Sequence, residues 1–298
     1  MVDVPAGLVE AQLRYNGDAG REFIAGLPAR AAEFLERWEL RTTGPGMHGV
    51  TALVLPVERA DGSPAALKMQ LLDEESAGEP AALRAWGGGG SVRLLEHDAD
   101  TGTLLLERLD ERRHLSVLAR RDPREAVRVL AGLLARLTAV AAPAGMRGLG
   151  EVAAGMLAQA PAALERLADP GDRAVLRDCA AAVAEVAGEP GDRLLHWDLH
   201  VDNVLGSVRE PWLAIDPKPL AGHPGFELWP ALDGAADAAE ARWRFDLLSE
   251  ALGPAGERDR VRAWTLGRVL QNGLWDVEDG EERLEPDQRA LAEVLLGR

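Results

Sequence analysis

Cysteine is nearly absent: Cys179 is the only one in 298 residues. An internal disulfide and a cysteine-rich zinc site are therefore excluded. Cys179 lies in the Ala-rich stretch 173–187, where a buried, inert thiol is expected. No run of about 18 apolar residues occurs, so no membrane partner is expected. Met1 to Leu40 is interrupted by Pro5, Asp18, Arg21, Glu22 and Pro28, which leaves no apolar leader, and a soluble cytoplasmic protein follows as the expectation. Positive charge is also in deficit, with Lys+Arg 33 against Asp+Glu 49 and a net charge of −16. A nucleic-acid partner needs a basic footprint and is not expected, whereas an acidic cleft would draw in a cationic small molecule. Lysine is the scarcest cation: Lys68 and Lys218 are the only two, and every other basic residue is arginine. So strong a bias implies that lysine is kept where a compact ammonium is needed and a guanidinium fork would not serve. Repeats and low-complexity linkers are missing too, and oligomeric state is left open.

What is present concentrates between Leu194 and Pro219, in L-L-H-W-D-L-H-V-D-N-V-L-G-S-V-R-E-P-W-L-A-I-D-P-K-P. Polar residues held between short apolar runs suit a functional loop on a rigid scaffold. Asp198 and Asn203 are five apart, the spacing of a phosphoryl-transfer loop in which the Asp orients an acceptor hydroxyl and the Asn holds Mg²⁺. Asp216 follows a β-type run, as a second magnesium ligand would. A rival reading uses the alternation of His196, Asp198 and His200, which on a strand would point three ligands one way and bind zinc in a metal-dependent hydrolase. The plainest reading is a solvated polar turn.

The length allows two lobes with separate cores. Pro28 to Trp38 reads as a helix with Ala31, Phe34, Leu35 and Trp38 on one face. Glu39 to Thr43, Gly44-Pro45-Gly46 with Gly49 behind, and Val50 to Val57 read as strand, glycine turn, strand, a loop that could lie over phosphates. Neither a G-x-x-x-x-G-K-[ST] nor a G-x-G-x-x-G after a strand is found. Asp61-Gly62 marks a hairpin, and the strand Ala65 to Leu72 carries Lys68. A helix over Asp73 to Trp86 offers Glu75 and Glu79, four apart on one face, as carboxylate partners for that lysine. A second hairpin turns at Asp98–Thr101, its apolar strand ending at Glu107. From Leu109 the pattern becomes helical. Asp122-Pro123-Arg124-Glu125 has the cap, first-turn proline and acidic residue of a helix start, with Val127, Leu130, Leu134 and Leu137 forming one stripe. Further helices are expected at 150–168, 172–187, 235–252, 258–276 and 286–296.

This order, with L-L-H-W-D-L-H-V-D-N-V-L, W-L-A-I-D-P-K-P-L, E-P-A-A-L-R-A-W-G-G and L-L-L-E-R-L, resembles the aminoglycoside phosphotransferase family, in particular its streptomycin 6-kinase and hydroxyurea phosphotransferase branch. The likeness runs from about Trp38 to Trp275. It implies an α+β, bilobal protein-kinase-like fold: an antiparallel β-sheet N-lobe with one inserted helix (1–108, nucleotide-binding) and a mainly helical C-lobe (109–298, catalytic and acceptor-binding). It implies ATP- and Mg²⁺-dependent transfer to a hydroxyl of a small molecule, a cationic antibiotic such as streptomycin or else another small metabolite, a sugar or an amino alcohol. By position, Asp198 is then the catalytic base, Asn203 and Asp216 bind Mg²⁺, Lys68 holds the nucleotide phosphates with Glu79 locking it, Gly46 and Gly49 line the phosphate loop, and the backbone after Glu107 receives adenine. His196 braces the loop. Lys218 neutralises developing phosphate charge, and Glu227 is a structural carboxylate tying the loop down. Many relatives have glycine where Trp197 stands. No A-P-E follows Asp216, so a protein kinase is not expected. His200 and the acidic Asp233, Asp237 and Asp276 are candidates for meeting a cationic acceptor, although acidic helix starts also suit the helix dipole.

Overall fold

The computed structural model describes residues 2–253 and 257–298, which form two compact units, Met1–Asp110 and Glu111–Arg298. The first is built on an antiparallel sheet. Helix α1 (Ala6–Arg37) precedes β1 (Arg41–Thr42), β2 (Met47–His48), β3 (Ala52–Glu58), β4 (Pro64–Gln70), α2 (Glu79–Trp86), β5 (Leu94–Asp98) and β6 (Thr103–Glu107). The sheet order is β1-β3-β4-β6-β5, with β2 also on β3. Side chains alternate across a strand, so Ala65, Leu67 and Met69 enter one core with Phe23, Leu27, Ala31 and Phe34 of α1. Lys68 and Gln70 therefore emerge on the opposite face, beside α2. Each large apolar side chain so buried contributes roughly 1.5–3 kcal/mol.

Three segments of the chain depart from the expected local structure. Helix α1 begins at Ala6 and not near Pro28, and it bends at Gly17, whose φ of 51° and ψ of −122° break the helical run. In its N-terminal arm Leu8 joins the core, whereas Leu13 and Tyr15 stay exposed, so the apolar residues do not form one continuous buried stripe. Gly44-Pro45-Gly46 is not the turn. It interrupts an edge strand: Arg41–Thr42 pair with Glu58–Val57, and Met47–His48 pair with Val54–Leu53. The turn falls at Gly49–Thr51, closed by the Gly49 N–H donating to Ala52 O at 3.2 Å. Finally, α2 starts only at Glu79, because Asp73 accepts from the Glu75 and Ser76 N–H groups and makes a turn of what precedes it. The hairpins at Asp61-Gly62 and Asp98–Thr101 form where expected.

The second unit is mainly helical: α3 (Leu115–Ala119), α4 (Pro123–Leu137), α5 (Leu149–Arg166), α6 (Pro170–Val186), α7 (Trp229–Leu232), α8 (Ala238–Leu252), α9 (Arg258–Glu278) and α10 (Pro286–Leu295). Asp122 caps α4 by accepting from the Glu125 N–H at 3.0 Å, and the expected stripe Val127, Leu130, Leu134, Leu137 is buried. Cys179 is buried in α6, which pushes its thiol up to about 12 and leaves it unreactive. Two small ladders carry the polar loops. Strand β7 (Asp110–His114) borders β9 (Val204–Gly206), which pairs antiparallel with β10 (Leu213–Ala214), and β8 (Arg193–Leu195) pairs antiparallel with β11 (Leu220–Gly222). No described helix is long and apolar enough to cross a membrane.

Candidate active site

In the first unit Lys68 is almost completely buried, and its Nζ donates to both oxygens of Glu79 at 2.8 Å. Gln70 Nε2 donates to Glu79 Oε2 at 2.7 Å. Position on the sheet explains the pair: Lys68 sits opposite Val54 of β3 and Leu104 of β6, on a central strand, and extends over the first turn of α2. Of the two candidate carboxylates, Glu79 is the partner, and Glu75 lies in the preceding turn. Glu107 ends β6, and its Oε1 accepts from the Arg93 N–H at 2.9 Å. Gly49 sits at the tip of the β2–β3 turn, where an added Cβ would meet nothing. Gly46 does not share that place: a Cβ there would press on Leu53 and Leu55 at 3.2 and 3.3 Å, so glycine serves the approach to the sheet.

In the second unit the loop 196–203 leaves β8 while residues 215–219 lead into β11, so the two ladders hold the segments side by side. His196 stitches them. Its Nε2 donates to Ile215 O at 2.9 Å, its own carbonyl accepts from the Lys218 N–H at 2.9 Å, and its Nδ1 accepts from the Asp198 N–H at 3.4 Å. Burial pushes this imidazole down to about 3, and it is neutral. With both ring nitrogens engaged and no strand through 196–200, the three-ligand zinc arrangement does not form. Among the described residues no group of three His, Cys, Asp or Glu could hold a metal ion.

Glu227 lies in a short turn, Pro224–Glu227, and accepts from the His196 and Trp197 N–H groups, both at 2.9 Å. Burial raises this carboxyl while the two N–H groups pull it back down. Trp197 adopts φ +62°, a left-handed conformation that for a bulky residue costs about 1–3 kcal/mol. Its buried ring offsets that cost, held by Phe226 and Trp275 and by the guanidinium groups of Arg147 and Arg268, 4.7 and 4.9 Å from the ring centre. Asp198 follows directly. Asn203 Nδ2 donates to its carbonyl at 2.9 Å and to its Oδ2 at 3.1 Å, while His200 Nε2 lies 3.8 Å from its Oδ1. Burial raises the Asp198 carboxyl, with His200, Lys218 and Arg268 opposing the rise.

Asn203 ends a short turn and Asp216 follows β10. The Ile215 N–H donates to Asn203 O at 2.9 Å, so Asp216 comes one residue after the backbone partner of Asn203. Asp216 is left-handed at φ 56°, and Lys218 Nζ lies 3.6 Å from its Oδ2. The donor set suits a hard cation such as Mg²⁺: a carboxylate, and an amide whose nitrogen is spent on Asp198 and whose oxygen remains to coordinate.

Asp198, His200, Asp233 and Asp237 share one cavity of about 1150 Å³. Asp276 does not reach it; it lines a separate cavity of about 620 Å³ with Asp172, Arg283 and Arg289. The shared cavity is not uniformly acidic. Asp237 caps α8 by accepting from the Ala239 and Glu240 N–H groups. Glu240 is held by Arg124 and Arg244, and Arg120, Arg121 and Arg268 also line the wall. Sequence reasoning missed Arg268 and the Glu240 pairs. Their partners are far away in the chain, and an arginine among so many carries no signal. Trp197 was visible as a bulky residue where glycine is common.

The sequence model of the aminoglycoside/hydroxyurea antibiotic resistance kinase family matches residues 37–280. The chain is 70% identical to a hydroxyurea phosphotransferase of Kitasatospora aureofaciens over 100% of its length and 87% of the relative's. It is 55% identical to a streptomycin 6-kinase of Streptomyces griseus, over 99% of this chain and 97% of that one. Among solved structures, a thermostable aminoglycoside phosphotransferase in ternary complex with AMP-PNP and hygromycin B superposes with a TM-score of 0.58 at 13% identity, covering 89% of this chain and 96% of that one. Both units thus make up an α+β, bilobal kinase-like fold.

Proposed function

The chain belongs to the aminoglycoside/hydroxyurea antibiotic resistance kinase family, and on that premise we propose that it transfers the γ-phosphoryl group of ATP to a hydroxyl of a small antibiotic acceptor in the cytoplasm. One observation carries the reading: a half-buried Asp198 carboxylate, fixed from Asn203, on the wall of a cavity of about 1150 Å³. There it orients the acceptor hydroxyl and accepts its proton as transfer proceeds. Asn203, through its amide oxygen, and Asp216 would hold Mg²⁺, which when bound supplies charge neutralisation of the phosphates. Lys218, beside Asp216, adds positive charge there. Lys68, kept in place by Glu79, meets the nucleotide phosphates. The Gly49 turn lies over them, and the backbone after Glu107 receives adenine. Catalysis by such residues is positioning and charge stabilisation.

The acceptor is a hydroxyl-bearing cationic molecule of the streptomycin type, in keeping with the exposed Asp233 and Asp237 and with the size of the cavity. A second reading, hydroxyurea, is favoured by the 70% identity to a hydroxyurea phosphotransferase. The test is ADP release from Mg-ATP with each acceptor. Asp198→Asn should lower kcat by about 10²–10⁴-fold with nucleotide binding kept. A near-native kcat would remove Asp198 from the mechanism.

A further inference from the structure

The N-terminal arm of α1 lies outside residues 37–280, the span matched by the family's sequence model. Its most conspicuous polar residue is Gln12, with 0% of its surface exposed. A glutamine is seldom buried so fully unless its amide is committed. Here the Nε2 donates to Thr51 O at 2.7 Å, across 39 residues of sequence, and Oε1 accepts from Asn16 Nδ2 at 2.9 Å. Thr51 is the last residue of the Gly49–Thr51 turn. Three residues on, Val54 stands opposite Lys68 in the β3–β4 ladder.

Two close approaches show that the arm is built to reach this place. A Cβ on Gly7 would lie 2.7 Å from the His48 ring at the start of the same turn. A Cβ on Gly20 would collide with the Gln12 carbonyl, so the arm folds back at Gly17 and Gly20 passes directly beside it. The turn itself has little to hold it from the other side. Val50 is 62% exposed and Gly49 meets open space. An exposed turn closed by the Gly49 N–H on Ala52 O and by His48 Nδ1 on Gly49 O is a segment of low local stability, and the buried amide behind it is a tether of fixed length.

We propose that Gln12 is a positioning residue for the nucleotide. By holding the Thr51 carbonyl, it sets where the Gly49–Thr51 turn lies relative to Lys68, and so the N-terminal arm forms part of the ATP site. The inference rests on the reading above that this turn covers the phosphates. Gln12 acts through the turn and does not touch the reacting atoms.

The experiment uses the full chain with Gln12→Met, which keeps length without the amide, and Gln12→Glu, which keeps an acceptor for Asn16 but sets a carboxylate against the Thr51 carbonyl. Losing one hydrogen bond of ordinary strength corresponds to a factor of about 3 to 10. KM for Mg-ATP and the dissociation constant of AMP-PNP should rise about that much in Gln12→Met and further in Gln12→Glu, with the acceptor KM and kcat little changed. A fall in melting temperature with both KM values unchanged would make Gln12 merely structural and overturn the proposal, as would an equal rise in both KM values. If one variant fails to fold, amide exchange of residues 49–52 in the native protein decides. Slowing by AMP-PNP supports the turn as part of the site, and indifference to AMP-PNP overturns it. Lys68→Met reports on the underlying reading: native AMP-PNP affinity there removes the nucleotide site from this unit, and the role of Gln12 with it.

Discussion

Replacing Lys68 and Glu79 together separates the chemical from the structural worth of their buried pair. Nζ lies 2.8 Å from both carboxylate oxygens, and the side chains are 5% and 1% exposed. At an effective dielectric of about 20 that distance corresponds to a gross attraction of about 6 kcal/mol. Withdrawing two ions from water cancels most of it, and uncharged groups of similar volume in place of a buried pair are commonly neutral or stabilising by about 1–4 kcal/mol. The double variant Lys68→Met/Glu79→Gln retains an amide to accept from Gln70 Nε2, which donates to Glu79 in the native protein. Its thermal stability should match or exceed the native value. Glu79→Gln alone takes the bidentate carboxylate away from a buried ammonium and should cost about 3–5 kcal/mol. Activity should fall in step with the lysine. Removing one positioned cation from developing phosphoryl charge costs about 10²–10³ in kcat. Thermal unfolding with a coupled ADP-release assay reads both quantities on the same samples. A stable double variant with near-native kcat would show the pair to be structural, and the reasoning from lysine scarcity would fail with it.

Lys68→Arg should also be damaging, because a planar fork cannot replace a point charge in a site this enclosed, whereas Lys218→Arg, partly exposed, should be milder; kcat/KM of each decides. Acceptor KM should rise with added salt more steeply than KM for Mg-ATP if Asp233 and Asp237 attract a cationic acceptor across a screened cavity. The arginines lining the same wall soften that slope, and a salt-independent acceptor KM or a neutral substrate turned over best would defeat the cationic choice. His196 titrates near 3 when folded, below its ordinary value of 6.5, so acid favours the unfolded chain. Its contribution is complete above about pH 6.5 and is lost as pH falls toward about 3, by up to about 1.4 kcal/mol per pH unit. Denaturant unfolding of the ligand-free protein should show that slope, and His196→Asn should flatten it.

Family, fold and the main polar loop were determined by the sequence itself, because each rests on local spacing. Asp198 and Asn203 five apart, the apolar strand carrying Lys68, and the cap–proline–glutamate start of α4 can be read without knowing what touches them. The scarcity of lysine marked the right residue for a buried pair. Tertiary structure alone decided matters that depend on partners far away in the chain. It chose Glu79 over Glu75, because Asp73 makes a turn where a helix was expected and only Glu79 starts α2 within reach of β4. The acidic helix starts became caps and arginine pairs, leaving Asp276 in another cavity. The start of α1 and the contact between Gln12 and Thr51 were hidden because a weakly amphipathic arm has no period of its own and gains its stability only when the sheet is there to receive it.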